Sequence, residues 1–249
     1  MLIALVLMTA RSNSITEPTP VPATATPAPA ALEIISTSPL TYALSAPQTD
    51  GAVSVERALN NRRSQRDFRD QALTHGQLSQ LLWAAYGVTS QQGMSERRTS
   101  PSAGALYPLE IFAVVGDVTD IEPGVYRYVP NGHRIVRIVE GDMREALSQS
   151  VHVVNQDTVA IAPVSICYSA VYERTTEVYT VRGDVYVHME VGHSAQNVYL
   201  QATAMELGTV AIGTFSNRGA MHEMMNLQAD EIPLYLMPVG YLAGDFVLR

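Results

Sequence analysis

Apolar residues recur at helical spacing at Leu78, Leu81, Leu82 and Ala85, directly behind a start signal at Thr74-His75-Gly76-Gln77. There the Thr74 hydroxyl and the Gln77 side chain can each satisfy a backbone N–H of the other residue, and Gly87 supplies the stop. Trp83 lies beside the stripe, which suits a core or interface position. A longer helical pattern covers 183–207 and ends at Gly208; shorter helices are expected over 53–60, from Asp142 through Ser150, and over 220–227. Elsewhere the period changes. Residues 109–115 and 159–168 are apolar runs, and 125–128 and 133–139 alternate around Pro130-Asn131-Gly132 as a hairpin does. Residues 209–212 are rich in β-branched side chains and, with 234–239, read as extended. Helices and strands are interspersed without the regular alternation of a parallel sheet, so the pattern predicts an α+β fold.

The N-terminal residues follow neither period. Residues 2–8 are apolar, too few to span a bilayer, and resemble the apolar core of a secretory signal. No basic residue precedes them, and Met8 stands where a cut after Ala10 wants a small side chain. Residues 1–15 therefore read as a signal-like or truncated export segment, a frayed N-terminus being the plainer alternative. Residues 16–50 read as a linker, its Pro/Thr/Ala run at 16–31 extended and semi-rigid because proline fixes φ and removes donors. Residues 51–249 are expected to form one folded domain. A spacer behind an export-like segment favours an exported or membrane-tethered protein over a cytoplasmic one.

Composition narrows the chemistry. With 47% hydrophobic and 16% charged residues the chain can bury a core, and a net charge of −8 argues against a nucleic-acid partner. The single cysteine, Cys167, excludes an internal disulfide and sits in an apolar run as a structural thiol does. The glycines at 208 and 213 have phosphate-loop spacing, but the lysine that should follow is missing. No G-x-G-x-x-G follows a strand, and no G-x-S-x-G elbow exists. His188-Met189-Glu190 lacks the paired cysteines of a zinc deaminase, and His188 and His193, five apart, point to different helix faces, so no metal site is expected.

Against that acidic background, Arg62-Arg63-Ser64-Gln65-Arg66 packs three guanidiniums and a hydroxyl into five positions. Planar, bidentate donors suit a terminal phosphate, a solvated helix end being the plainer reading. A second motif follows at 101–108, Pro-Ser-Ala-Gly-Ala-Leu-Tyr-Pro. With Leu-Leu-Trp-Ala-Ala-Tyr-Gly at 81–87, Pro-Gly-Val-Tyr-Arg-Tyr at 123–128, Glu-Val-Gly-His-Ser-Ala-Gln-Asn at 190–197 and Leu-Gly-Thr-Val-Ala-Ile-Gly-Thr-Phe at 207–215, these segments resemble, in order, the nitroreductase family of flavoproteins. The likeness is nearest to its SagB-type, azoline-oxidase-like dehydrogenase branch and covers about 52–243.

That resemblance implies a nitroreductase-like α+β fold, with a central, mostly antiparallel sheet flanked by helices, and a homodimer holding FMN at its interface. It implies an FMN-dependent oxidoreductase working by ping-pong hydride transfer, with NAD(P)H as a diffusible donor and a small-molecule or peptide-derived substrate. Carried over, Arg62, Ser64 and Arg66, with Arg63 nearby, hold the flavin phosphate and ribityl chain. Pro101, Ser102, Ala103 and Gly104 lie along the ring, where small residues allow close backbone approach. Asn155 or Gln156 falls near the pyrimidine edge, and Gly213 and Thr214 near the hydride-accepting atom. Tyr107 and Tyr179 are weak candidates for shaping the substrate face, with no side chain assigned as catalytic. His193, Gln196 and Asn197 are expected in packing and the dimer interface. Azoline-oxidising members carry a Lys-Tyr pair where this chain has Val178-Tyr179, and the chain contains no lysine at all. A non-catalytic flavin-binding module, or an accessory subunit of a peptide-modifying complex, is therefore the alternative. Arg249 is the one basic residue at the C-terminus, where many relatives reach the flavin phosphate.

Overall fold

The computed structural model describes residues 33–92, 95–244 and 248. The signal-like segment, the Pro/Thr/Ala run and Arg249 lie outside the described residues. Eight strands form one sheet in the order β1-β2-β7-β6-β5-β8-β10-β9. They are β1 (Glu33–Thr37), β2 (Leu40–Ala43), β5 (Leu109–Val115), β6 (Gly124–Val129), β7 (Arg134–Glu140), β8 (Val164–Val171), β9 (Leu207–Thr209) and β10 (Glu231–Tyr241). Every neighbouring pair is antiparallel. A separate hairpin pairs β3 (Val88–Gln92) with β4 (Ser95–Arg98).

The sheet is buried on both faces, which explains why β5 and β8 read as continuous apolar runs rather than as alternating ones. Ile111, Ala113 and Val115 of β5 face a core shared with α2 (His75–Tyr86) and α6 (Gly183–Ala204), while Phe112 and Val114 face a second core. That second core receives Leu147 of α3 (Arg144–Ser148), Val159 of α4 (Gln156–Ile161) and Met221 of α7 (Arg218–Met224), with Cys167. Burial pushes the Cys167 thiol far up, as befits an inert structural cysteine. Leu78, Leu81 and Leu82 are wholly buried, each contributing about 2 kcal/mol of transfer free energy. The capping box at Thr74 forms as expected.

Several elements depart from the expectations. Residues 33–43, assigned to the linker, form β1 and β2, and β2 pairs with β7, placing Leu40 and Tyr42 in the core. The apolar run expected as one strand over 159–168 is divided: α4 ends at Ile161, Ala162 turns extended ahead of Pro163, and β8 begins at Val164. Proline disfavours helical geometry at the residue before it, which fixes that break. Asp142 does not cap a helix through Ser150; it accepts from the Arg144 N–H at 3.0 Å, and α3 spans Arg144–Ser148. The long helix ends at Ala204, beyond which Glu206 takes a left-handed φ of 59° and leads into β9. The short α5 (Glu173–Tyr179), polar and mostly exposed, has no pattern that foretold it.

Candidate functional site

The helix α1 (Val55–Asn61) ends where Arg62 turns extended, and residues 62–69 then run along the sheet edge. Ser64 pairs in parallel with Thr209, the Gln65 N–H donates to the Thr209 carbonyl at 2.9 Å, and Arg69 N–H to the Tyr241 carbonyl at 2.9 Å. This rail points the cluster at α6. The Arg62 guanidinium lies 5.1 Å from the Tyr199 ring centre, and Ser64 Oγ is 3.1 Å from the Tyr199 hydroxyl. That hydroxyl accepts from the Ala211 N–H at 2.7 Å, so its own proton is available to Ser64. When Tyr199 donates to Ser64, the Ser64 proton is free to donate outward. Arg66 donates through Nε to Asn155 Oδ1 at 3.3 Å, and its carbonyl accepts from Thr158 at 3.1 Å.

Among the described residues, none of Arg62, Arg63 and Arg66 lies within 4.0 Å of a carboxylate. In a chain of net charge −8, carboxylate-free guanidiniums at Arg62 and Arg66 beside the Ser64 hydroxyl fit a phosphate monoester. Arg63 departs from this group. Its NH1 donates to the Asn60 carbonyl at 3.0 Å and to that of Arg62 at 2.7 Å, completing the C-terminal end of α1 rather than facing outward.

Asn155 is buried and reaches Arg66, whereas Gln156 turns back to the Val151 carbonyl at 3.5 Å. Residues 213–216 lie alongside 150–152: Val151 bridges Phe215, and the His152 N–H donates to the Thr214 carbonyl at 3.4 Å. Gly213 and Thr214 are exposed there. Arg62, Ser64 and Ala211 meet at Tyr199, Arg66 meets Asn155, and the 213–214 segment lies beside His152.

The second motif lies further along α6. Nine residues, or roughly 14 Å of helix, separate Tyr199 from Glu190, which sits under the turn at 101–107. Pro101 and Gly104 are exposed and Ser102 and Ala103 half-buried. Gly104 has φ 62°, and a Cβ there would meet the Tyr179 hydroxyl at 3.0 Å, so a close approach requires glycine. Among the described residues the Tyr179 hydroxyl has no hydrogen-bond partner, and its ring meets Tyr186 edge-on with centres 5.0 Å apart. Tyr107 differs: its hydroxyl donates to the Glu96 carbonyl at 2.7 Å. Arg174 ties α5 to this turn, donating to the Tyr107 carbonyl at 3.0 Å and to Glu110 at 2.6 Å. Val178 is 58% exposed.

The sequence reading missed Tyr199, Tyr86, Glu190 and Arg98. Glu190 is only 3% exposed, takes a hydrogen bond from the Tyr86 hydroxyl, and is raised in pKa by burial. An acid on the inward stripe of α6 was the one available signal. The Arg98 guanidinium stands 4.5 Å from the Tyr86 ring centre and 4.3 Å from that of Tyr107. Asn197, expected in packing, donates to the Thr99 carbonyl at 3.1 Å. A cavity of about 310 Å³ opens between α1, α2 and α6 and is lined by Trp83, Thr99 and Asn197, but it contains none of the arginines of the cluster and none of the 101–104 turn. It is apart from the site just described.

Comparison with known proteins shows relatives of the whole fold. The chain is 48% identical over 188 residues to the Methanocaldococcus jannaschii protein named "Putative nitroreductase MJ1384", covering 76% of this chain and 91% of that one. A crystal structure of a "putative nitroreductase" from Ralstonia eutropha JMP134 superposes with TM-score 0.70 at 28% identity, over 87% of this chain and 100% of that chain. The E. coli microcin synthetase McbBCD complex shares the fold at TM-score 0.61 and 23% identity, over 79% and 76%. Residues 59–241 match the model of the Nitroreductase family, and the chain belongs to that family.

Proposed function

We propose that the protein is an FMN-dependent oxidoreductase of the SagB-type branch, acting as a homodimer with NAD(P)H as a diffusible donor and a small-molecule or peptide-derived acceptor. The observation that carries the reading is the carboxylate-free cluster of Arg62, Ser64 and Arg66 backed by Tyr199 and Asn155. Arg62 and Arg66 would neutralise the phosphate, whose charge is about −1.5 to −2 near pH 7. Ser64 would donate to a phosphate or ribityl oxygen. Asn155 fixes the Arg66 fork and keeps its amide at the inner wall. The turn at 102–104 offers backbone and small side chains to a flat ring, with Tyr179 standing over it. Bound there, FMN would supply two-electron hydride chemistry in a ping-pong cycle. The chain supplies binding and orientation, and no side chain needs to act as nucleophile.

The branch assignment rests on the ordered motifs, and Val178-Tyr179 in place of Lys-Tyr argues against azoline oxidation, since an amine able to relay protons is missing. The same replacement favours the second reading, a flavin-binding module without turnover. Purified protein distinguishes them. A yellow preparation bleached by NAD(P)H and reoxidised by an organic acceptor supports the enzyme. Bound flavin that no donor reduces supports the module, and protein that cannot be loaded with FMN defeats both.

A further inference from the structure

Three of the four residues 104–107 are left-handed: Gly104 at φ 62°, Ala105 at 54° and Tyr107 at 48°. Non-glycine residues hold such geometry only where their surroundings over-determine it. Here the restraints converge on one buried acid. Glu190 accepts from the Tyr86 hydroxyl, and the Ser102 side chain stands near enough to favour its ionised form. Tyr86 in turn accepts from the Leu109 N–H at 3.4 Å, and Ser102 Oγ from the Tyr107 N–H at 2.9 Å. A backbone N–H can only donate, so the Leu109 amide occupies a lone pair of the Tyr86 hydroxyl while that hydroxyl's proton goes to Glu190. The acid thereby holds residue 109 through Tyr86 and stands beside Ser102 at the other end of the strained segment. Arg98 adds a positive charge between the Tyr86 and Tyr107 rings, which meet edge-on with centres 5.9 Å apart. The groups facing Glu190 are thus Tyr86 from α2, Arg98 from β4 and Ser102 from the turn itself.

We propose that Glu190 is the positioning residue of the ring site: through Tyr86 it holds the 102–109 segment in the shape that presents Ser102, Ala103 and Gly104 to a planar cofactor. The proposal rests on the flavin reading for its ligand, but the clamp itself is testable without one. Hydrogen exchange of the full chain free of FMN reads the Tyr107 and Leu109 amides directly. Glu190→Leu should accelerate exchange across 102–109 at least tenfold while leaving 164–171 as in the wild type. Glu190→Gln, which keeps one acceptor oxygen, should fall between. Glu190→Leu should also weaken FMN binding at least tenfold in a fluorescence titration. Unchanged exchange over 102–109, or equal acceleration throughout the sheet, overturns the clamp, the second outcome being what mere packing predicts. Faster local exchange with unaltered FMN affinity overturns the positioning role. Wild-type protein that binds no FMN defeats the flavin reading instead, and exchange alone then decides the clamp. If Glu190→Leu does not fold, Tyr86→Phe, which cuts the link between Glu190 and Leu109, is judged by the same criteria.

Discussion

At the scale of single residues, the candidate anchor is two carboxylate-free guanidiniums gathered with Ser64 around Tyr199 and Asn155. Some arginines elsewhere hold a carboxylate: Arg127 holds Glu231 at 2.6 Å and Glu110 at 3.0 Å, and Arg144 holds Asp142 at 2.6 Å. Arg62 and Arg66 do not, so removing either should weaken FMN binding roughly ten- to hundredfold, the worth of a charge-assisted hydrogen bond. Arg63→Ala serves as the control, expected to change affinity less than about twofold because its guanidinium is engaged by α1 carbonyls. Equal losses at all three positions, measured by fluorescence titration, would mean a diffuse basic field rather than a built anchor. The sequence displayed all three arginines alike; only the backbone path after α1 separates them. A second residue-scale expectation concerns His133. Ser79 donates to the Ser45 carbonyl, so its oxygen accepts from His133 Nε2–H at 2.8 Å, leaving Nδ1 to accept from Tyr128 at 2.8 Å. Burial lowers the pKa of this satisfied neutral ring below 6.5. The unfolded chain then binds the proton first. The stabilisation is complete above the unfolded pKa near 6.5 and declines as pH falls through the folded pKa. His133→Gln should flatten that decline in urea midpoints measured below about pH 6.5.

At the scale of elements, local signals were legible where the chain closes its own hydrogen bonds. The α2 capping box was readable because its partners are three residues apart, and Thr74→Ala should cost about 1 kcal/mol in chemical denaturation. The 130–132 hairpin was readable for the same reason. What the sequence could not display is pairing over long separations: Ser64 with Tyr199, Arg66 with Asn155 and Tyr86 with Glu190 lie 135, 89 and 104 residues apart. Nor does an apolar run say whether it is strand or buried helix, which is why α4 was merged with β8 until Ala162-Pro163 separated them. The 102–109 turn shows how tightly an element can be specified. Gly104→Ala forces a Cβ into left-handed geometry and against the Tyr179 hydroxyl at 3.0 Å, and should cost about 1 to 3 kcal/mol in cofactor-free protein. Tyr179→Phe removes the crowding oxygen and should recover part of that loss. No recovery in the double variant would place the whole cost in the backbone.

At the scale of the whole molecule, the sheet extends further toward the N-terminus than composition indicated. A chain beginning at residue 51 would lose Leu40, Tyr42 and Leu44 from the core, about 5 kcal/mol of burial and comparable to the net stability of a small domain. Such a truncation should aggregate or melt far below the full chain, whereas one beginning at residue 33 should not. The opposite end of the problem is surface that one copy leaves uncovered. Val178, Val181, Val185 and Met189 are 58, 88, 49 and 55% exposed, on the segment that carries Tyr179 to Gly104 and along the start of α6. Val185 and Met189 are four apart and share one helix face, in line with exposed His193. In the proposed homodimer a two-fold axis would set this patch against its own copy, so one substitution acts twice. Met189→Glu would then bring like charges together and should yield a monomer by sedimentation velocity where the wild type is a dimer. Its FMN content separates two arrangements: a monomer that has lost flavin means that the partner completes the site, and one that retains it means that the cluster around Arg62 and the 102–104 turn suffice within a single subunit. A wild type that sediments as a monomer, or a variant that remains dimeric, would remove this face from the interface.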